Sequence, residues 1–290
     1  MLIILVVVAY IPDMHSVGFL QDDWNTLFMT EQRGAGSLVA HFEIDRPLRG
    51  YFGLLEDRLF GTQMVWYQVT ALTMQLLGSL FFFITLMLIW PNQWKFNLMV
   101  CSLLIIYPGF HELQHAFDYQ AHILARMCIL LSIMLSVWIT FIRQKWLKAA
   151  GVLLALTLAL IGYGLMDVYI GMEGLRLALF LALFKQKKGI TSLKTYMFLT
   201  ILFIVNAALF SIWRLFLFET RRASVNAGTM LSAYQNFFPK MGEDLLELVK
   251  NLYRLCVSAF YQPLILFSKH VETGGLLIGL AMAAAAAALV

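Results

Sequence analysis

Two adjacent carboxylates, Asp22 and Asp23, lie in the run Phe19-Leu20-Gln21-Asp22-Asp23-Trp24, just past the first apolar stretch of the chain. An ionised carboxylate within hydrogen-bond reach of a hydroxyl acts as a general base. Two side by side divide the work: one takes the proton while the other orients it or holds a divalent ion. The competing role is structural, because acids suit the first turn of a helix, where amides are unpaired and the dipole is positive. About twenty residues later comes Asp45-Arg46-Pro47-Leu48-Arg49. Arginine forks match phosphate oxygens, and an aromatic face such as Trp24 suits a sugar ring. Arg46, Arg49 and Trp24 are therefore candidate substrate-binding residues, although Asp45-Arg46-Pro47 reads equally well as a solvated turn before a surface helix.

A second constellation, His111-Glu112-Leu113-Gln114-His115, is a literal HExxH. In zinc hydrolases this spacing puts two histidines on one helix face, with the glutamate as base. A catalytic zinc needs a third protein ligand, and no ExxxD follows. His122 lies on the face of His115, but seven residues away, which is about 10 Å of helical rise and too far for one metal. His111 and His115 stand as the alternative metal pair of a membrane zinc protease. In the main reading Glu112 and His115 are polar lining of a substrate site, and no metal is required.

Two further groups lie near apolar segment ends. Asp167 and Glu173 flank Tyr169. Inward-facing acids there would line an acceptor cavity; helix-end solvation and a Glu173–Arg176 pair at i,i+3 account for them as well. Arg214, Arg221 and Arg222 follow the penultimate apolar run, placed either to bind a lipid phosphate or to snorkel to headgroups.

The elements that must position these groups are apolar. The chain is 61% hydrophobic and 13% charged, with a mean hydropathy of +0.77, against about 25% charged in soluble domains. Continuous apolar runs are drawn at 1–12, 64–90, 96–108, 121–142, 147–165, 168–184, 193–216 and 273–290. Such runs predict an all-α polytopic membrane bundle of about eight transmembrane segments; a β-barrel would alternate instead. The first run falls short of a full span, which places the start of the protein upstream. The last ends within a would-be helix, which predicts truncation at the C-terminus.

The loops sort by charge. Those at 143–148 and 185–194, and the one near Lys95, are basic without acids. The 13–63 loop holds eight acids against four arginines, and Glu112 and Asp118 occupy the 109–120 loop. With the short 96–108 run counted as a span, the positive-inside rule puts the basic loops in the cytoplasm and the acidic loops outside. The chain is then one transmembrane domain, 1–290. Its first outer loop is 13–63, and its last, 217–272, carries an amphipathic surface helix around Leu245 to Leu255.

Cys101, Cys128 and Cys256 form no disulfide framework or CxxC site. There is no phosphate-binding glycine loop, no basic aromatic patch for nucleic acid, and no secretory signal with a basic leading region.

The order of a first span, an outer loop opening on Asp22-Asp23, and an Arg46-Pro47 turn resembles the membrane glycosyltransferases of the GT-C superfamily, over the layout of residues 1–216. The resemblance implies a polyprenyl-phosphate-linked sugar as donor, a hydroxyl acceptor, and single-displacement inversion at the sugar carbon. It makes Asp22 or Asp23 the base. Trp24, Arg46, Arg49, Glu112, His115, Glu173, Arg221 and Arg222 are then candidates for the substrate site. It implies no certain cofactor, with a divalent cation allowed, and an active site outside a bacterial or archaeal plasma membrane. The non-enzymatic alternative is a lipid or solute transporter.

Overall fold

Backbone amides in hydrocarbon have no water to bond, so apolar stretches of this length satisfy themselves as helices. The computed structural model describes residues 1–11, 18–19, 22–107, 117–186, 193–218, 237–259 and 265, and among these every regular element is helical. The order is α1 (Leu2–Tyr10), α2 (Asp22–Arg33), α3 (Gly36–Glu43), α4 (Pro47–Phe60), α5 (Met64–Ile89), α6 (Trp94–Ile106), α7 (Gln120–Ile139), α8 (Lys145–Leu165), α9 (Met172–Gln186), α10 (Leu193–Ile212) and α11 (Phe237–Tyr253). Single 3₁₀ turns sit at Pro91–Gln93 and Asp167–Gly171, and π turns extend α10 to Leu217 and α11 to Ser258.

Among the described residues four helices are long and apolar enough to cross a membrane: Met64–Ile89, Gln120–Ile139, Lys145–Leu165 and Lys194–Leu217. They turn large apolar side chains outward, including Leu153, Phe198 and Leu209, each more than 60% exposed. A soluble surface would not tolerate that patch. Three of the other drawn runs form shorter helices, α1, α6 and α9, of 9, 13 and 15 residues. At 1.5 Å per residue they fall short of a hydrocarbon core about 30 Å thick. The 273–290 run lies outside the described residues.

Packing register gives the helix directions. Gln120 bonds the Tyr67 carbonyl, Arg126 bonds Gln75, and Gly78 faces Met127 and Leu130. The offset between partners stays near constant, so α5 and α7 run parallel, with α6 returning between them in sequence. Across α7 and α8 the partners are Ile139 with Gly151, Ser132 with Ala155, and Ile129 with Gly162; here the sum stays near constant, the mark of an antiparallel hairpin. Gly151, Ala155, Ala159 and Gly162 are all buried and recur three or four residues apart along α8. This stripe of small residues admits the backbone of α7, as close packing in membranes requires. A Cβ on Gly162 would come within 2.7 Å of Ile129 and 3.1 Å of the Ala125 carbonyl.

These directions separate the charges. Lys95, Arg143, Lys145, Lys148 and Lys185 fall at one end of the helices; Asp23, Asp45, Asp118, Asp167, Glu173 and Arg214 fall at the other. The segment 22–60, read as a loop from its charge, folds as three short helices over the acidic end.

The α3–α4 corner is tight. A Cβ on Gly50 would meet the Val39 backbone at 2.9 Å and the Leu38 carbonyl at 3.0 Å. Pro47 opens α4 at a position that suits its missing amide. α11 leaves Leu245, Leu246, Leu248, Val249, Leu252 and Tyr253 exposed, with acids and bases on its opposite face, the pattern of a helix lying in a membrane interface.

Candidate functional site

Asp22 and Asp23 form the first turn of α2. Asp22 is exposed, whereas Asp23 is fully buried. The Asp23 Oδ1 atom accepts the amides of Phe117 and Asp118, at 3.0 and 2.8 Å. The acid therefore fastens α2 to the approach to α7. Asp118 in turn receives the Arg49 guanidinium on both its side chain and, at 3.0 Å, its carbonyl. Arg49 also lies over the Phe42 ring, 4.2 Å from its centre, near the range of a cation–π contact. Burial pushes the Arg49 guanidinium down from its ordinary value, and Asp118 works against that shift; arginine stays charged regardless. Trp24 is exposed, with its ring edge-on to Phe19.

A separate charge cluster forms where the α3–α4 corner meets the ends of α8 and α10. The buried Arg214 bonds Asp45 Oδ1 at 2.9 Å and Asp167 Oδ2 at 3.3 Å. Arg46 lies 3.8 Å from Asp45 and 3.9 Å from Asp167. Two cations thus face two anions, all at least three-quarters buried by side chain. Among the described residues Arg214 Nη1 and Arg46 Nε are buried without a hydrogen-bond partner, although Arg46 Nε lies 3.8 Å from Asp45 Oδ2 within their ion pair. Both residues line a cavity of about 250 Å³ with Asp45, Asp167, Tyr163 and Trp213. Its remaining wall is apolar, with Leu48 and Leu160 among the side chains that are also exposed on the outer surface of the helices.

Glu173 lies one layer behind that cavity. Its carboxylate takes Arg176 Nε at 2.7 Å, Arg176 Nη2 at 3.0 Å and the Tyr163 hydroxyl at 2.5 Å. Arg176 spends its other donors on Ser132, carbonyl and hydroxyl, and stacks on Phe203. All its nitrogens are occupied. The sequence reading of a Glu173–Arg176 pair matches this geometry, while Asp167, read as helix-end solvation, is in the cavity wall.

Glu112, His115, His111, Arg221 and Arg222 lie outside the described residues. Among the described residues no three His, Cys, Asp or Glu side chains converge as a metal site. His122 is half-buried between Tyr119, stacked at 5.2 Å, and Tyr169, edge-on at 6.3 Å.

Sequence reasoning named Arg214 and the Asp45 turn separately but missed their pairing, and it missed Glu56 altogether. Asp45 and Arg214 are 169 residues apart, and no local spacing announces such a pair. Glu56, on α4, is 3% exposed with Oε1 unpartnered, and burial pushes its carboxyl well above the usual 4.5 despite Arg49 nearby. Its three-residue spacing from Gly53 and Gly50, which puts it on the buried face of α4, was the signal available.

Against known families, curated proteins and solved structures, the chain matches none.

Proposed function

We propose that this is an integral membrane glycosyltransferase that moves a sugar from a polyprenyl-phosphate donor to a hydroxyl acceptor. The observation that carries this reading is the cavity where paired acids and arginines meet an apolar, lipid-facing wall at one end of the helices. An amphiphile with a polar head has its two chemistries matched there side by side.

The proposed topology has eight crossings, with the amino terminus and the lysine-rich end in the cytoplasm and the acidic end outside. The short α1, α6 and α9 complete the crossings together with their flanking residues, and 273–290 supplies the eighth. GT-C-like chemistry then runs as one displacement. The acceptor oxygen attacks the anomeric carbon as the carbon–oxygen bond to phosphate breaks, and polyprenyl phosphate leaves with the electron pair. The acceptor proton passes to Asp22, which stands exposed on the first turn of α2 and is not among the residues lining the cavity. Its neighbour Asp23, bonded to two amides, is the positioning residue that holds α2 against the 117–118 backbone. Arg46 in the cavity wall and Trp24 on α2, with Glu112, His115, Arg221 and Arg222, complete the proposed surroundings, while Arg49 and Glu173, held by Asp118 and Arg176, support them from behind. A divalent cation is compatible with the acids but no step needs one.

The test is transfer from a radiolabelled polyprenyl-phosphate sugar by purified protein and by its Asp22→Asn and Asp23→Asn variants. Asp22→Asn should lose at least a hundredfold in rate, the scale of a general base. Full turnover in both variants removes the proposal. Proteolysis with stoichiometric zinc, abolished by Glu112→Gln, would establish the protease reading instead.

A further inference from the structure

We propose that residues 274–290 cross the bilayer as a helix seated in the apolar groove between α9 and α10, with a ridge of glycine and alanine against the groove floor. The docking presupposes the eighth crossing proposed above, but not sugar transfer.

α9 and α10 form an antiparallel pair. Arg176 lies over the Phe203 ring, 3.8 Å from its centre, while Phe180 and Phe184 meet Tyr196 at 6.4 and 5.7 Å between ring centres. Over these rings opens a groove of about 330 Å³. Its floor is Phe180 and Tyr196, both buried. Its walls are Leu177 and Leu181 on α9 and Met197 and Ile201 on α10, between 40% and 55% exposed. On each helix the wall residues stand four apart, so the walls run along the helix axes. High rims over a low floor leave room for a backbone but not for a second row of large side chains. A helix with a small-residue side fits such a channel, because helices in lipid associate by close backbone approach.

Residues 274–290 lie outside the described residues, and their sequence supplies that side. Ten of the seventeen are glycine or alanine, and none is charged. Gly275, Gly279, Ala283 and Ala287 recur at every fourth position, the spacing of a ridge on a helix surface. Leu277, two residues from Gly279, falls on the far side of the same helix. Seventeen residues rise about 25 Å as a helix, close to the thickness of a hydrocarbon core. The direction of travel is also on the page. The Tyr107 hydroxyl donates to the Leu255 carbonyl at 3.0 Å, and Tyr107 follows α6 at the acidic end of the molecule. Chain leaving Leu255 therefore starts from that end, and a crossing from there runs parallel to α9 and antiparallel to α10. With Gly274 level with Met172, Gly279 comes beside Leu177 and Ala283 beside Leu181.

The experiment is disulfide trapping in membranes, on the full chain with Cys101, Cys128 and Cys256 replaced and a protease site inserted between Phe218 and Phe237. After oxidation and cleavage, Leu177→Cys with Gly279→Cys should hold the two pieces together at the mass of one chain, as should Leu181→Cys with Ala283→Cys. Leu177→Cys with Leu277→Cys should link at least fivefold less. Should the cysteine pairs fold poorly, thermal scans read the same contact. Gly279→Leu should lower the melting temperature by several degrees although it improves helix propensity, while Leu277→Ala should stay within about a degree. Equal melting of those two variants overturns the docking. Links between chains alone give the groove to a second copy, and absent links give it to lipid; either result overturns the docking. Equal linking at Gly279 and Leu277 removes the ridge. A cysteine at Val290 separates this failure from that of the crossing. Its reaction with an impermeant maleimide in intact cells ends the crossing and the docking together, whereas reaction only after permeabilisation keeps the crossing and makes absent links count against the docking alone. A chain that links as expected but transfers no sugar loses the glycosyltransferase reading and keeps this one.

Discussion

Among the described residues the buried acids divide into those with partners and one whose carboxyl burial pushes well above its ordinary value. Glu56 belongs to the second kind. Its folded carboxyl holds its proton to a higher pH than the unfolded one, so its contribution to stability is complete below about 4.5 and fades as pH rises through the raised value. Glu56→Gln, which keeps the shape and removes the titration, should flatten that decline and raise the melting temperature at neutral pH. Thermal scans in detergent from pH 4 to 8 decide it; parallel curves for the two proteins would refute the assignment. Arg176 is the contrary case. With Glu173, Tyr163 and Ser132 all bonded to it or through it, Arg176→Met strands a carboxylate in a dry environment and should cost about 3–5 kcal/mol. Replacing both members, as Arg176→Met with Glu173→Leu, should recover most of that loss. Equal instability of the single and double variants would show that the ion pair is not the cause.

At the scale of elements, the small-residue face of α8 sets how near α7 comes. Gly162→Leu would drive a branched side chain into Ile129 and the Ala125 carbonyl, and overpacking of that kind costs about 1–3 kcal/mol or more. Gly174→Leu, where nothing lies within 4 Å of the added Cβ, provides the comparison and should be close to neutral apart from helix propensity. Melting temperatures of the two variants within a degree of each other would deny the stripe its role. The elements also show what the sequence made readable. α5, α7, α8 and α10 were legible because twenty apolar residues in a row have few other fates. α2 and α4 were visible as helix starts at Asp22-Asp23 and Pro47 within a charged outer loop, but not their packing, since their apolar positions are sparse and their partners lie far along the chain. Asp23 illustrates the limit. Its type and its place at a helix start were plain, but its amide partners are 94 and 95 residues away, and only packing reveals them. The Gly-Ala spacing of α8 was in the sequence and would have indicated the hairpin with α7.

At the scale of the whole molecule, one end is rich in lysine and the other in carboxylates with their arginines. Insertion machinery retains positive charge on the cytoplasmic side, so this polarity predicts orientation directly. In intact cells expressing the chain with its three cysteines replaced, a cysteine at Ser37 should react with a membrane-impermeant maleimide, and one at Gln144 only after permeabilisation. The reverse pattern would place the cavity on the inner face and end the proposal of an external transferase.

The tie between Asp45 and Arg214 has a further consequence in time. During synthesis the first aspartate emerges 169 residues ahead of its guanidinium, and three of the four helices long enough to cross a membrane, α5, α7 and α8, lie in the interval. The pocket is thus among the last parts of residues 1–218 to close. A ribosome stalled before α10 would display α2 to α4 already folded against α7, yet with the Phe210, Trp213 and Arg214 side of the cavity still missing.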